Sequence, residues 1–174
     1  MAAYLLGSQA VLDIAKNLNL PAEKWLRAAG ERRIIEDDLC ISSVVPMTVM
    51  HTIDSWIHEA RRQRSGSLAA LGAMKRNAER FLGAFMQNDR IIPMDHKIAE
   101  RWGDLLDMDI VYADEDGATY GVGSAEKVEL ATASVGRDGR PFIYVDRLQA
   151  AHTLVPNLVV ECPFEFAASL EADK

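Results

Sequence analysis

A chain of 174 residues, 49% hydrophobic and 26% charged, is long enough for one sizeable core and too apolar to be disordered. Its net charge of −7 weighs against a protein that grips nucleic acid over a broad surface. The longest apolar runs, Val44 to Met47 and Leu158 to Val160, are far too short to cross a bilayer, so no membrane partner is expected. The opening Met1-Ala2-Ala3-Tyr4 has neither a basic segment nor a long apolar one, so it does not read as a signal peptide. Cys40 and Cys162 sit in apolar, strand-like contexts and are expected to be buried, reduced thiols. A single domain over residues 1–174, in the cytoplasm, is the expectation.

Tyr4-Leu5-Leu6 is a short apolar run, and Ser8 or Gln9 then opens an amphipathic helix carrying Val11, Leu12, Ile14, Ala15 and Leu18. Pro21 suits the first turn of a second helix with Trp25, Leu26 and Ala29 on one side. Leu39 to Val45 is rich in β-branched residues and reads as a buried strand. Pro46 then launches a long helix to about Arg62, and Gly66-Ser67 separates it from another carrying Leu68, Leu71, Met74, Ala78, Phe81, Leu82 and Phe85. Arg90 to Pro93 reads as a short strand, and Asp95 as the cap of a helix with Ile98, Ala99, Trp102 and Leu105. Residues 107–123 lack periodicity and are expected to form an exposed loop. Ser124 is the expected cap of a helix with Val128, Leu130, Ala131 and Ala133, and the last strands are Phe142 to Val145 and Leu158 to Val160. Strands alternating with helices imply right-handed crossovers and a parallel sheet covered on both faces. Ligands bind outside the carboxyl ends of such strands, which directs attention just beyond Leu6, Val45 and Ile92 and to the helix starting at Ser124.

The charge is uneven. Arg61, Arg62, Arg64, Lys75, Arg76 and Arg80 fall in one mid-chain stretch, whereas residues 104–116 carry six acids and no base. The first is either the solvated face of a helix or a local nucleic-acid contact. His51 and His58 share a helix face at a spacing that is not a metal-ligand pattern, and no Ser-His-Asp or Cys-His arrangement is visible. Gly121-Val122-Gly123-Ser124 lacks the preceding strand and full spacing of a phosphate loop.

The order of segments resembles the PIN-domain family, in particular its VapC-like and FitB-like toxins. Tyr4-Leu5-Leu6-Gly7-Ser8-Gln9 is similar to the family opening Leu-Leu-Asp-Thr-Asn, and Ile41-Ser42-Ser43-Val44-Val45 after Trp25 to its Ile-Ser-Val-Val-Thr strand. Arg90-Ile91-Ile92-Pro93-Met94-Asp95, with Ala99 and Trp102-Gly103, resembles a third family segment. Leu130-Ala131-Thr132-Ala133 and Cys162-Pro163-Phe164 resemble the last two. The resemblance implies a three-layer α/β/α fold with a central parallel sheet of four or five strands. It also implies cleavage of phosphodiesters, usually RNA, by Mg²⁺ or Mn²⁺ held on three or four carboxylates, because such ions take oxygen ligands and activate water.

Carried over position by position, that carboxylate set is incomplete. The first family acid falls on Gly7 and the family Glu on Val49. The third falls on Glu126, and in the closing segment Asp146 takes an Asn position and Gln149 the last acid. Asp13, six residues beyond Gly7, lies roughly 9 Å along its helix and cannot replace an acid there; Asp54 stands in the same relation to Val49. Glu129, one turn after Glu126, gives at most a two-acid metal site, and both also suit a solvated helix N-terminus.

Three readings stay open. A catalytically degenerate, homodimeric binding or assembly module needs no cofactor, and its partner is an antitoxin-like small protein or RNA or DNA. A residual Mg²⁺- or Mn²⁺-dependent ribonuclease would use Glu126, Glu129 and Asp146. A nucleic-acid-binding protein would use Arg61, Arg62, Arg64, Lys75 and Arg76.

Overall fold

The computed structural model describes residues 3–31, 38–113, 118–146 and 154–166. Its sheet runs through β1 (Tyr4–Leu6), β2 (Leu39–Ser42), β3 (Ile91–Ile92), β6 (Ile143–Val145) and β7 (Val159–Glu161), in the order β3-β2-β1-β6-β7. Every pairing in it is parallel, with Leu5 opposite both Cys40 and Tyr144. Strands buried on both faces are apolar throughout, and Leu5, Leu6, Cys40, Ile41, Tyr144 and Val145 are all fully buried.

The helices are α1 (Ser8–Lys16), α2 (Pro21–Glu31), α3 (Val45–Arg62), α4 (Leu68–Gln87), α5 (His96–Leu106) and α6 (Ser124–Val135). They divide the core into two clusters. Leu6, Val11, Leu12, Trp25, Val45, Val49, Ile53, Met74 and Phe85 form one. Leu5, Cys40, Ile98, Leu105, Leu130, Ala131, Phe142 and Tyr144 form the other. Each cluster covers one face of the sheet, so the three-layer α/β/α expectation holds.

Local differences have local causes. The strand expected to reach Val45 ends at Ser42; Val44 is the N-cap of α3, and Pro46 sits in its first turn, where its missing N–H costs nothing. Gly123, not Ser124, caps α6. Residues 107–123 are not simply a loop. β4 (Val111–Ala113) and β5 (Thr119–Gly121) pair antiparallel, with Tyr112 stacked on Tyr120 at 5.5 Å between ring centroids. Asp95 does cap α5, its carboxylate accepting from the Ile98 N–H at 2.9 Å. Cys40 and Cys162 are free and buried. Among the described residues no helix is long and apolar enough to cross a membrane.

Candidate functional site

β1 and β6 run side by side to Leu6 and Val145, and the Gly7 N–H donates to the Val145 carbonyl at 3.0 Å. That register sets Asp146 beside Gly7, where α1 begins. Gly7 is the N-cap of α1 but has no side chain to satisfy the free N–H groups of the first turn. Two distant carboxyls do so instead. Ser8 N donates to Glu129 Oε2 at 3.0 Å, and Gln9 N donates to Asp146 Oδ2 at 3.2 Å. The Tyr144 hydroxyl donates to the same Glu129 Oε2 at 2.7 Å. Both acids complement the positive end of the helix.

These groups are closed off from water. Glu129 and Tyr144 are fully buried, and Ser8 and Asp146 nearly so. Desolvation, reinforced by the charge of Asp146, pushes Glu129 up to about 8 from an ordinary 4.5, against the opposing hydrogen bonds from Tyr144 and Ser8. Burial likewise raises the Tyr144 phenol, which keeps its proton and stays a donor. Near neutral pH Glu129 is therefore mainly the neutral acid. Its Oε2 already accepts two hydrogen bonds, so the proton belongs on Oε1, which has no partner in the described structure.

Gly7 is required by space. Its φ of −80° and ψ of 165° suit any residue. A Cβ there would stand 2.5 Å from the Tyr144 hydroxyl and 2.6 Å from Asp146 Cγ, and it would run directly into Asp146 Oδ2. The volume that a side chain at position 7 would occupy is filled by those two groups.

The other residues singled out in the sequence are dispersed. Val49 is wholly buried among Leu6, Val11, Val45, Ile53 and Val145, a core residue of α3. Glu126 turns back to its own helix, its Oε2 accepting from the Gly123 N–H at 2.8 Å. Burial raises its pKa, partly offset by that bond. Glu126 and Glu129 are thus spent on the N-termini of two different helices, α6 and α1. Asp13 is buried and pairs with Lys16 at 2.9 Å, while Asp54 is exposed and pairs with Lys75 at 2.6 Å. Gln149 lies outside the described residues. Among the described residues no three His, Cys, Asp or Glu side chains are grouped so as to hold a metal ion.

Of the basic stretch, Arg61, Lys75 and Arg76 line one groove between α3 and α4, together with His58. Arg62 instead pairs with Glu59 at 2.8 Å, and Arg64 sits in the connection with a φ of 52°.

Sequence reasoning did not single out Tyr144, which reads as an ordinary strand residue, and it left Glu129 open between a two-acid metal site with Glu126 and a solvated helix start, neither of which describes its buried place on α1. One signal was available. Glu129 lies in Val128-Glu129-Leu130-Ala131-Thr132-Ala133, and a helix apolar all round is a buried one. In the structure residues 127–134 of α6 are all buried.

No family model matches the chain, and no curated protein matches it. Solved structures do. A chain of the VapBC2 complex from Rickettsia felis bound to a promoter DNA fragment aligns with a TM-score of 0.53 and 15% identity, covering 92% of this chain and 98% of that one. A chain of the DNA-bound VapBC complex from Salmonella typhimurium aligns with a TM-score of 0.55 and 16% identity, covering 94% and 99%. Identity this low carries the architecture and nothing finer. The chain has the PIN-like α/β fold of the VapC type, with a central parallel sheet of five strands.

Proposed function

We propose that the chain is a catalytically degenerate PIN-like domain, a pseudo-nuclease that serves as a binding or assembly module. The observation that carries this reading is the use of Glu129 and Asp146 as caps of α1, with the space above Gly7 filled by Tyr144 and Asp146. A divalent-metal site needs several oxygen donors turned toward one point. Here Glu129 Oε2 and Asp146 Oδ2 face backbone N–H groups, Glu126 faces Gly123, and Val49 offers no donor. These residues do not fit the ion. Removing repelling acids and burying Val49 instead also favours the metal-free fold.

The solved structures with this fold are VapBC complexes bound to DNA, which supports an antitoxin-like small protein as the partner. Met47, Trp56 and Met86, exposed on α3 and α4, offer apolar area for that partner or for a second copy in a homodimer. The competing reading is a residual ribonuclease on Glu126, Glu129 and Asp146, favoured only by the closeness of Asp146 to Glu129. Calorimetric titration with Mn²⁺ alongside an RNA cleavage assay separates the two. The pseudo-nuclease gives no saturable binding at micromolar Mn²⁺ and no metal-dependent cleavage. Micromolar binding together with cleavage that is lost in Glu126→Ala refutes it.

A further inference from the structure

We infer that the groove between α3 and α4 is a site for phosphate groups presented by a nucleic-acid strand. The groove encloses about 480 Å³ and is lined by Asp54, Ile57, His58 and Arg61 on α3 and by Gly72, Lys75, Arg76 and Glu79 on α4. Arg61 and Arg76 approach it from opposite helices and are exposed, and their side chains make no hydrogen bond or ion pair among the described residues. Two uncommitted guanidinium groups on facing walls present fixed forks of donors that match phosphate oxygens in pairs.

The acids in the groove do not cancel this. Asp54 is answered by Lys75 at 2.6 Å, which leaves Glu79 alone against the two arginines. Gly72 keeps one wall low, and a Cβ there would already be in contact with the Arg76 guanidinium at 3.6 Å. Arg64 and Arg80 add positive charge nearby in the chain, whereas Arg62 is paired with Glu59. The volume suits a small polar group and falls short of a helix roughly 10–12 Å across with its side chains. Among the described residues no Phe, Tyr or Trp lines the groove, and what Arg61 and Arg76 offer there is contact to backbone phosphate, which carries no sequence preference. On a chain of net charge −7 such binding is local and sensitive to salt. The groove shares no lining residue with the carboxyl cluster at the start of α1, and it stands whether or not those carboxyls hold a metal.

The test is fluorescence anisotropy of the full chain with a short labelled single-stranded RNA across a salt series, with a glutamate-rich peptide of equal charge as comparator. Binding to RNA should weaken steadily as salt rises. Arg61→Ala/Arg76→Ala should weaken it about 100-fold, at roughly tenfold for each lost charge-assisted contact. The slope of log affinity against log salt should flatten by roughly 0.7 for each phosphate contact removed. Competition by inorganic phosphate or a free mononucleotide separates the two sources of the same chemistry; either supports the phosphate site, and only weak competition assigns it to the strand. Both arginines are exposed, and a circular-dichroism melt confirms that the variant folds. Absence of RNA binding at low salt, unchanged binding by the folded double variant, or tighter binding of the acidic peptide each overturns the inference.

Discussion

Replacing Gly7 with alanine should destabilise the protein by about 3–5 kcal/mol, adding the cost of overpacking to that of a broken buried hydrogen bond. For a chain of this size that corresponds to a fall in melting temperature on the order of 10 °C. The new Cβ meets the Tyr144 hydroxyl, at 2.5 Å, and the Asp146 carboxyl. Neither gives way cheaply. Tyr144 is a fully buried ring tied to Glu129, and Asp146 is buried and tied to Gln9 N. Gly7→Asp, which restores the family acid on paper, should be worse, because it adds a third carboxyl where two are already packed. The costs should also be strongly non-additive. Tyr144→Phe with Asp146→Ala vacates the space, so adding Gly7→Ala to that pair should cost far less than Gly7→Ala alone. Thermal melts of the four proteins measure this directly. An alanine at position 7 tolerated without change would mean that Tyr144 and Asp146 do not occupy that space.

The second large effect is a dependence of stability on pH set by Glu129. Its carboxyl titrates near 4.5 when exposed in the unfolded chain and is pushed up to about 8 in the fold. Between those values the folded state binds the extra proton, so stability falls as pH rises, by up to about 1.4 kcal/mol per unit. Below 4.5 both states are protonated and the full stability is present; above 8 the loss is complete. Glu129→Gln keeps the shape of the neutral acid, with a carbonyl to accept from Ser8 N and Tyr144 and no proton to lose. The variant should melt close to the parent near pH 5, exceed it at pH 9, and show a flatter profile between. Equal slopes for parent and variant would mean that Glu129 is ionised throughout and that its burial has been misjudged.

Much of the fold was legible because its signals are local. Pro21, Pro46 and Asp95 mark helix starts by backbone chemistry that needs no tertiary context, and buried strands such as Leu39–Ser42 are written in β-branched and apolar residues. The β4–β5 hairpin was not legible. Its strands are three residues each, and the Tyr112–Tyr120 stack that ties them forms only across the pair. At the candidate site the sequence showed Gly7 and Val49 standing where acids would be expected, through the resemblance alone. It did not show what fills the space. That depends on Tyr144, Asp146 and Glu129 arriving at one point from β6 and α6, more than a hundred residues from Gly7. Glu126 stood out in the sequence by its spacing from Thr132, whereas the fold turns it onto Gly123 and leaves the buried position to Glu129. Two acids one helical turn apart differ by about 40° around the axis when separated by four residues and about 60° when separated by three, and here that offset separates a rim from a core.

We propose that the chain's own backbone, and not a metal ion, holds the carboxyls at the end of the sheet. A crystal of the protein soaked in Mn²⁺ and measured at the manganese absorption edge tests it most directly. No anomalous peak is expected within coordinating distance, roughly 2.2 Å, of Glu129 or Asp146, with both carboxyls still bound to Ser8 N and Gln9 N. An ion seated between the two, with either carboxyl turned away from α1 to ligate it, would contradict it.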